Sequence, residues 1–270
     1  MKGTHHVATV DHHRRSIRLS GAELAAATLL LSAPGDPDLA QPAVRHHLDA
    51  LADAGAIDDG RLLGWLAELV ALISAAQLRV LVQTYAVDAL VTHSLWFTPG
   101  AGALASPHDD ATRTVSPTET VSAPWTIAGL VGLGQRPPPA HDQRIELRRS
   151  LLDDAFATLA EGDPDAATAA LAHGGLDTPD AAALVALARG RRLSWRVTSV
   201  FIDADGQRQE RELAMVDGGH AGLWRSTLQG DAGPDDDPVV RLEPRRASQT
   251  WADLVALLPG TRTGAAAPAG

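Results

Sequence analysis

The sequence predicts an α+β fold with an internal duplication: antiparallel sheets joined centrally, flanked by helices and related by a pseudo-twofold. Three observations carry that prediction. The hydrophobic period changes from helical to alternating twice, near Gln77 and near Arg192. A short strand and helices precede each change, and turn-punctuated strands with one closing helix follow it. Two hairpin signals, Asp203-Ala-Asp-Gly206 and Asp217-Gly218-Gly219, fall among the later strands.

Residues 1–16 are polar and aperiodic and read as a flexible N-terminal tail; the pairs His5–His6 and His12–His13 read as solvated side chains. Residues 17–19 form a short strand, and 23–31 a helix capped by Ser20 or Gly21. After a loop marked by Gly35, Pro37 and Pro42, Val44, Leu48 and Leu51 recur at helical spacing, with Gly55 as the stop. Residues 62–74 continue as an apolar helix. From Gln77, Leu78, Val80, Val82 and Thr84 alternate with Arg79, Leu81, Gln83 and Tyr85, which predicts a strand buried on both faces. Strands follow at 89–98, 101–106 and 113–116, then a helix capped by Ser122 that carries Trp125. The run Pro137-Pro138-Pro139 opens a stiff linker, 137–144.

The second half repeats the order. Residues 145–147 form a strand and 150–160 a helix; Asp163-Pro164 and Thr178-Pro179 open two more. Strands follow at 192–202, 210–216, 221–228 and 239–242, then a helix over 251–258 capped by Ser248. Ile17-Arg-Leu19 and Ile145-Glu-Leu147 lie 128 residues apart, and Trp125 and Trp251 each open a closing helix. Leu95-Trp96 and Leu223-Trp224 are also 128 apart, yet strand counting assigns them to different strands. The halves are therefore 17–136 and 145–260, forming one compact domain, with a flexible tail at 261–270.

Composition excludes several function classes. The absence of cysteine removes disulfides, thiol catalysis and thiolate zinc sites. A formal charge of −10 argues against gripping polyphosphate by charge. No signal-peptide core or membrane-length apolar run occurs, so the expected compartment is the cytoplasm. No nucleophile elbow, phosphate-binding loop, dinucleotide fingerprint or zinc-protease motif is present, so no enzyme, catalytic residue, cofactor or metal is predicted. Asp203-Ala-Asp205-Gly206 resembles the start of a calcium loop but brings its glycine two positions early, which favours a hairpin turn. Asp235-Asp236-Asp237 reads as a solvated charge run, and adjacent His46 and His47 diverge by about 100° on a helix.

The alternative function is a winged-helix DNA-binding regulator. Residues 43–57 followed by Asp59-Gly60-Arg61-Leu62 resemble a recognition helix and wing, although Arg45, His46 and His47 face Asp49 and Asp53. Six Trp stand beside three Phe and one Tyr. Core packing accounts for Trp125, Trp195 and Trp251; Trp96 and Trp224 occupy strand positions that can face outward, where indoles anchor interfaces.

Several ordered stretches resemble the EspG family, chaperones of actinobacterial type VII (ESX) secretion. In the first half these are A-L-A-D-A-G-A-I-D-D-G-R-L at 50–62 and the helix leading into the first long strand. In the second half they are A-L-A-H-G-G-L-D-T-P-D-A at 170–181, R-R-L-S-W-R-V with D-A-D-G-Q at 191–207, and V-D-G-G-H-A-G-L-W-R at 216–225. V-V-R-L-E-P with W-A-D-L-V-A-L-L-P at 239–259 ends the match. The resemblance implies a cytoplasmic, non-enzymatic chaperone that shields a helical secretion substrate, PE/PPE-like or another helical hairpin. It implies no nucleic-acid partner and no membrane insertion, and a monomer or homodimer when free. In that family the central sheet, the loop after the first long strand (here only 86–89) and the C-terminal helical region make contacts. Side-chain chemistry then makes Trp96, Phe97, Trp224, Trp251, Leu254 and Leu258 the expected partner-binding residues.

Overall fold

The computed structural model describes residues 8–86, 89–230 and 237–260. His5, His6, Asp235, Asp236 and the tail 261–270 lie outside them. In chain order the first half contains β1 (Thr9–Asp11), β2 (Ser16–Ser20), α1 (Gly21–Ser32), α2 (Pro42–Asp53), the small hairpin β3 (Ile57–Asp58) and β4 (Arg61–Leu62), and α3 (Gly64–Ser74). The strands β5 (Leu78–Tyr85), β6 (Leu90–Thr98), β7 (Ala101–Pro107) and β8 (Thr112–Thr118) follow, closed by α4 (Ala123–Leu130). The second half contains β9 (Ile145–Arg148), α5 (Arg149–Ala160), α6 (Pro164–His173) and α7 (Thr178–Gly190). It ends with β10 (Leu193–Ile202), β11 (Arg208–Asp217), β12 (Leu223–Gln229), β13 (Val239–Arg245) and α8 (Ala247–Ala256).

Eleven strands are hydrogen-bonded in the order β1-β2-β8-β7-β6-β5-β10-β11-β12-β13-β9, with antiparallel ladders. Read from β5 the first half runs β5-β6-β7-β8-β2; read from β10 the second runs β10-β11-β12-β13-β9. The same five-strand topology occurs twice, so the duplication predicted from the sequence is present, with β1 added at the edge of the first half. It also puts Trp96 on β6 and Trp224 on β12, which are not equivalent positions.

Two compact units result: Met1–Leu81 with Val91–Thr126 and Ser199–Glu210, and Val82–Leu90 with Ile127–Thr198 and Arg211–Gly270. Their borders depart from the repeat halves, because β5 and β10 each contribute residues to both. The first unit packs Ile17, Leu19, Ala103, Ala105 and Val115 of its sheet against Leu51, Leu66, Leu69 and Val70 of its helices. The second packs Ile145, Leu147, Trp224, Val240 and Leu242 against Leu171, Leu184 and Leu187.

Local chemistry sets the helix starts. Ser20 Oγ accepts from Glu23 N at 3.2 Å while Glu23 Oε2 accepts from Ser20 N at 2.6 Å, a reciprocal cap on α1. Asp163 and Asp177 cap α6 and α7, each accepting a backbone N–H at 2.8 Å. The first turn of α5 is capped from a distant part of the chain: Asp237 accepts from Ser150 N at 2.9 Å and from Ser150 Oγ at 2.7 Å. These bonds hold the Asp237 carboxyl below the usual carboxylate range.

Four expectations are corrected. Residues 9–11 form β1, paired with β2, where a flexible tail was expected. Only one face of β5 is buried: Leu78, Val80, Val82 and Thr84 are enclosed, while Arg79, Leu81 and Tyr85 are exposed. Ser122 lies in a 3-10 turn before α4 and donates to Glu119 O at 2.8 Å. Ser248 lies inside α8, whose first turn is closed by Gln249 Oε1 accepting from Arg246 N at 2.8 Å.

Candidate binding surface

Burial decides which expected partner-binding residues have surface to offer. Phe97 is 1% exposed. It lies opposite Gly102 on β7, where its ring occupies the space a side chain would need: a Cβ there would stand 2.5 and 2.7 Å from two ring carbons. Gly102→Ala is therefore expected to force the ring aside and cost about 1–3 kcal/mol, measured by denaturant unfolding. Trp96, one residue earlier on the opposite face, is half-buried against the first core. Trp224, whose strand position could face outward, is 1% exposed, its Nε1 donating to Ala221 O at 3.0 Å. Its burial comes from the second core, which includes Leu184 and Leu187 of α7, and from the His141 ring stacked on it. Leu254 and Leu258 are 0% and 7% exposed and Trp251 half-buried.

The exposed indole is Trp125, at 70%, with Val121 at 81% four residues earlier across the turn into α4. Core packing was expected for Trp125, and the sequence did contain the contrary signal. Ile127, Ala128 and Val131 form the buried stripe of α4, and position 125 lies off it. Leu81 and Ile202 are further exposed apolar residues of the same unit.

The first unit also contains a groove of about 510 Å³ between α3 and the ends of β6, β7 and β8. Trp65, Leu69, Leu72 and Pro117 line it, with exposed Arg15 and Glu68 at its rim. The second unit has a groove of about 320 Å³ between α7 and the start of β12. There Ala140 and His141 of the proline linker form one wall, and the His141 ring stacks on Trp224 at 5.8 Å between centroids. His141 Nε2 lies 3.0 Å from Asp180 Oδ1. The linker is tied down by Arg136, whose Nη2 and Nε bond to Asp217 at 2.7 and 3.0 Å. Burial pushes the Asp217 carboxyl up, but the Arg136 bonds, the Gly219 N–H and the charges of Arg136 and Arg192 outweigh it and hold the group below its ordinary value.

Catalytic or metal chemistry finds little support in these side chains. Among the described residues no three His, Asp or Glu cluster as metal ligands would. Asp203 Oδ1 accepts from Asp205 N and Gln207 N at 3.0 and 2.9 Å, and Oδ2 from Gln209 at 2.7 Å, so it serves the β10–β11 hairpin. His93 Nδ1 lies 2.9 Å from Ser106 Oγ, and burial with the nearby Arg113 charge lowers its pKa. In the winged-helix alternative the wing-like hairpin β3–β4 does form, but Arg45 of α2 pairs with Asp49 at 3.4 Å, and α3 follows where a second wing strand would stand. Among the described residues no helix is long and apolar enough to cross a membrane.

No protein-family model and no curated protein matches the chain. Among solved structures it is similar to the Mycobacterium tuberculosis type VII secretion system chaperone EspG5, determined in complex with the PE25-PPE41 dimer. The identity is 16%, over 90% of this chain and 95% of that one, with a TM-score of 0.57. At that identity the likeness is one of architecture: the α+β fold with its eleven-stranded sheet is EspG-like.

Proposed function

We propose that the chain is a cytoplasmic, non-enzymatic chaperone that binds a helical type VII secretion substrate, PE/PPE-like or another helical hairpin, and shields its apolar tip before export. The observation that carries this reading is the fold, alike over 90% of this chain and 95% of that one to a chaperone solved in complex with the PE25-PPE41 dimer. Exposed apolar residues support it: an indole at 70% and a valine at 81% exposure have the chemistry to anchor the apolar side of a helix. Trp125 and Val121 become the leading contacts, and Trp96 and Trp251 keep part of their surface for secondary ones. Phe97, Trp224, Leu254 and Leu258 are buried and have no surface to offer a partner.

The test is co-expression with helical type VII substrates of the same organism, read by one-to-one co-purification. Trp125→Ala is expected to weaken the complex by about 2 kcal/mol, roughly 30-fold, the scale of an interface hot spot. Its unfolding midpoint should stay within the range of ordinary surface changes, about 0.5 kcal/mol. Unchanged affinity would remove α4 from the interface, and failure to bind any such substrate would remove the chaperone reading.

A further inference from the structure

We infer that Arg18, on the sheet face turned away from the helices of the first unit, anchors a docking site for a carboxylate side chain of an acidic protein segment. This site does not depend on the helical-cargo contacts proposed above. The reasoning starts from the strands that correspond in the two repeats. By sheet order β2 corresponds to β9, β8 to β13 and β7 to β12. Ile17-Arg18-Leu19 therefore matches Ile145-Glu146-Leu147. In both strands the Ile and Leu are buried in the helix-side core, so side-chain alternation puts Arg18 and Glu146 on the opposite face. The position is shared and the charge is reversed.

In the second repeat that charge is neutralised within the sheet. Glu146 stands directly across from Arg241 of β13, whose Nε bonds to Glu146 Oε1 at 2.9 Å. This bond holds the Glu146 carboxyl below the usual carboxylate range. In the first repeat the residue across from Arg18 is Thr114 of β8, which carries no charge. Arg18 Nη1 instead lies 2.6 Å from His108 Nε2, and Nη2 donates to Thr9 Oγ1 at 2.9 Å. A guanidinium has only donors, so His108 Nε2 is the accepting nitrogen of a neutral ring. Arg18 Nε is enclosed without a hydrogen-bond partner. Among the described residues Arg18 makes no ion pair, and residues 1–7 contain neither Asp nor Glu. The acids of the flanking turns serve those turns. Asp109 accepts from Ala111 N, Thr112 N and Thr112 Oγ1, and Asp11 lies 3.9 Å from Arg14.

The group that Arg18 lacks is the one Arg241 has, a carboxylate. Its side chain keeps part of its surface, and a guanidinium fork matches the two oxygens of a carboxylate. Thr114 and Ser106 continue the row across β8 and β7, adding hydroxyl donors beside the cation. A chain of formal charge −10 repels an acidic segment over most of its surface, so this cation decides where such a segment docks.

The experiment uses the full chain without cargo, so its outcome is distinguishable from that of the chaperone test. A capped tetraglutamate peptide is titrated into isotope-labelled protein while the Arg18 Nε–H resonance, assigned by its loss in Arg18→Gln, is followed. A saturable shift is expected at low salt, with half-saturation below about 1 mM. Capped tetraglutamine should leave the resonance in place. Arg18→Gln, read by calorimetry, should bind the peptide about tenfold more weakly, while Arg45→Gln on α2 should bind it as the parent does. Thr114→Glu gives Arg18 the acid that Arg241 has in the second repeat. It should move the resonance toward its peptide-bound position and weaken peptide binding about tenfold, with the unfolding midpoint held or raised. No shift at millimolar peptide, an equal shift with tetraglutamine, full binding by Thr114→Glu or Arg18→Gln, or tighter binding of inorganic phosphate than of the peptide would each overturn the inference.

Discussion

Trp224→Ala is expected to destabilise the second unit by about 3–5 kcal/mol, the range for deleting a fully buried large aromatic. The indole is 1% exposed and belongs to the cluster formed by Leu147, Leu184 and Leu242. Its surroundings relax poorly into the vacated space. The alanines of α7 have no longer side chains to swing inward, and the linker is pinned at Arg136 and Pro139. Trp224→Phe should recover much of the packing while leaving Ala221 O without its 3.0 Å donor, a loss of about 1–3 kcal/mol. Denaturant unfolding of the pair separates the two contributions. An alanine variant as stable as the parent would mean that the indole is not the support of this core.

Asp217→Ala should have the next largest effect, about 1–3 kcal/mol, because it leaves a half-buried cation and the Gly219 N–H without their acceptor. The side chains of Arg136 and Asp217 are 17% and 8% exposed, and the carboxylate also receives the Gly219 N–H at 2.9 Å. The sign of the pH dependence follows from the direction of the Asp217 shift. The folded carboxyl lies below its ordinary value of 3.8, so its contribution is complete above that value and disappears as pH falls through the folded one. Between neutral pH and pH 5 the stability supplied by this pair should therefore be flat, with acid loss only below about pH 4. Asp217→Asn should remove that acid-sensitive part of the unfolding curve. The same variants should loosen the linker, read as faster hydrogen exchange at Ala140 and His141.

Features set by neighbouring residues were legible in the sequence. The Ser20–Glu23 cap, the Asp-Pro start of α6, the Asp203 hairpin and the period changes at Gln77 and Arg192 all depend on residues a few positions apart. The duplication was legible because it is a repeated order of such features. What failed depends on distant chain. The alternation of β5 was readable, but its outward face holds Leu81 and Tyr85, so an exposed face resembled a buried one. Trp224 is buried because it joins the core of Leu184 and Leu187 and the linker stacks His141 on it, neither of which strand periodicity can report. Ser150 is capped by Asp237 from another part of the sequence, which turns one member of an apparent charge run into a helix cap. For Trp125 the stripe of Ile127, Ala128 and Val131 was available, and position 125 lies off it. Of the candidate surface, the wealth of indoles was legible but their exposure was not: the most exposed one, Trp125, was assigned to the core.

The chaperone reading is tested most directly by isothermal titration of the purified chain with a purified helical type VII substrate pair of the same organism, for the parent and for Trp125→Ala. The reading predicts one-to-one binding for the parent, with the negative heat-capacity change of apolar burial, and roughly 30-fold weaker binding for the variant at unchanged stability. The absence of binding by the parent to every such pair would contradict it.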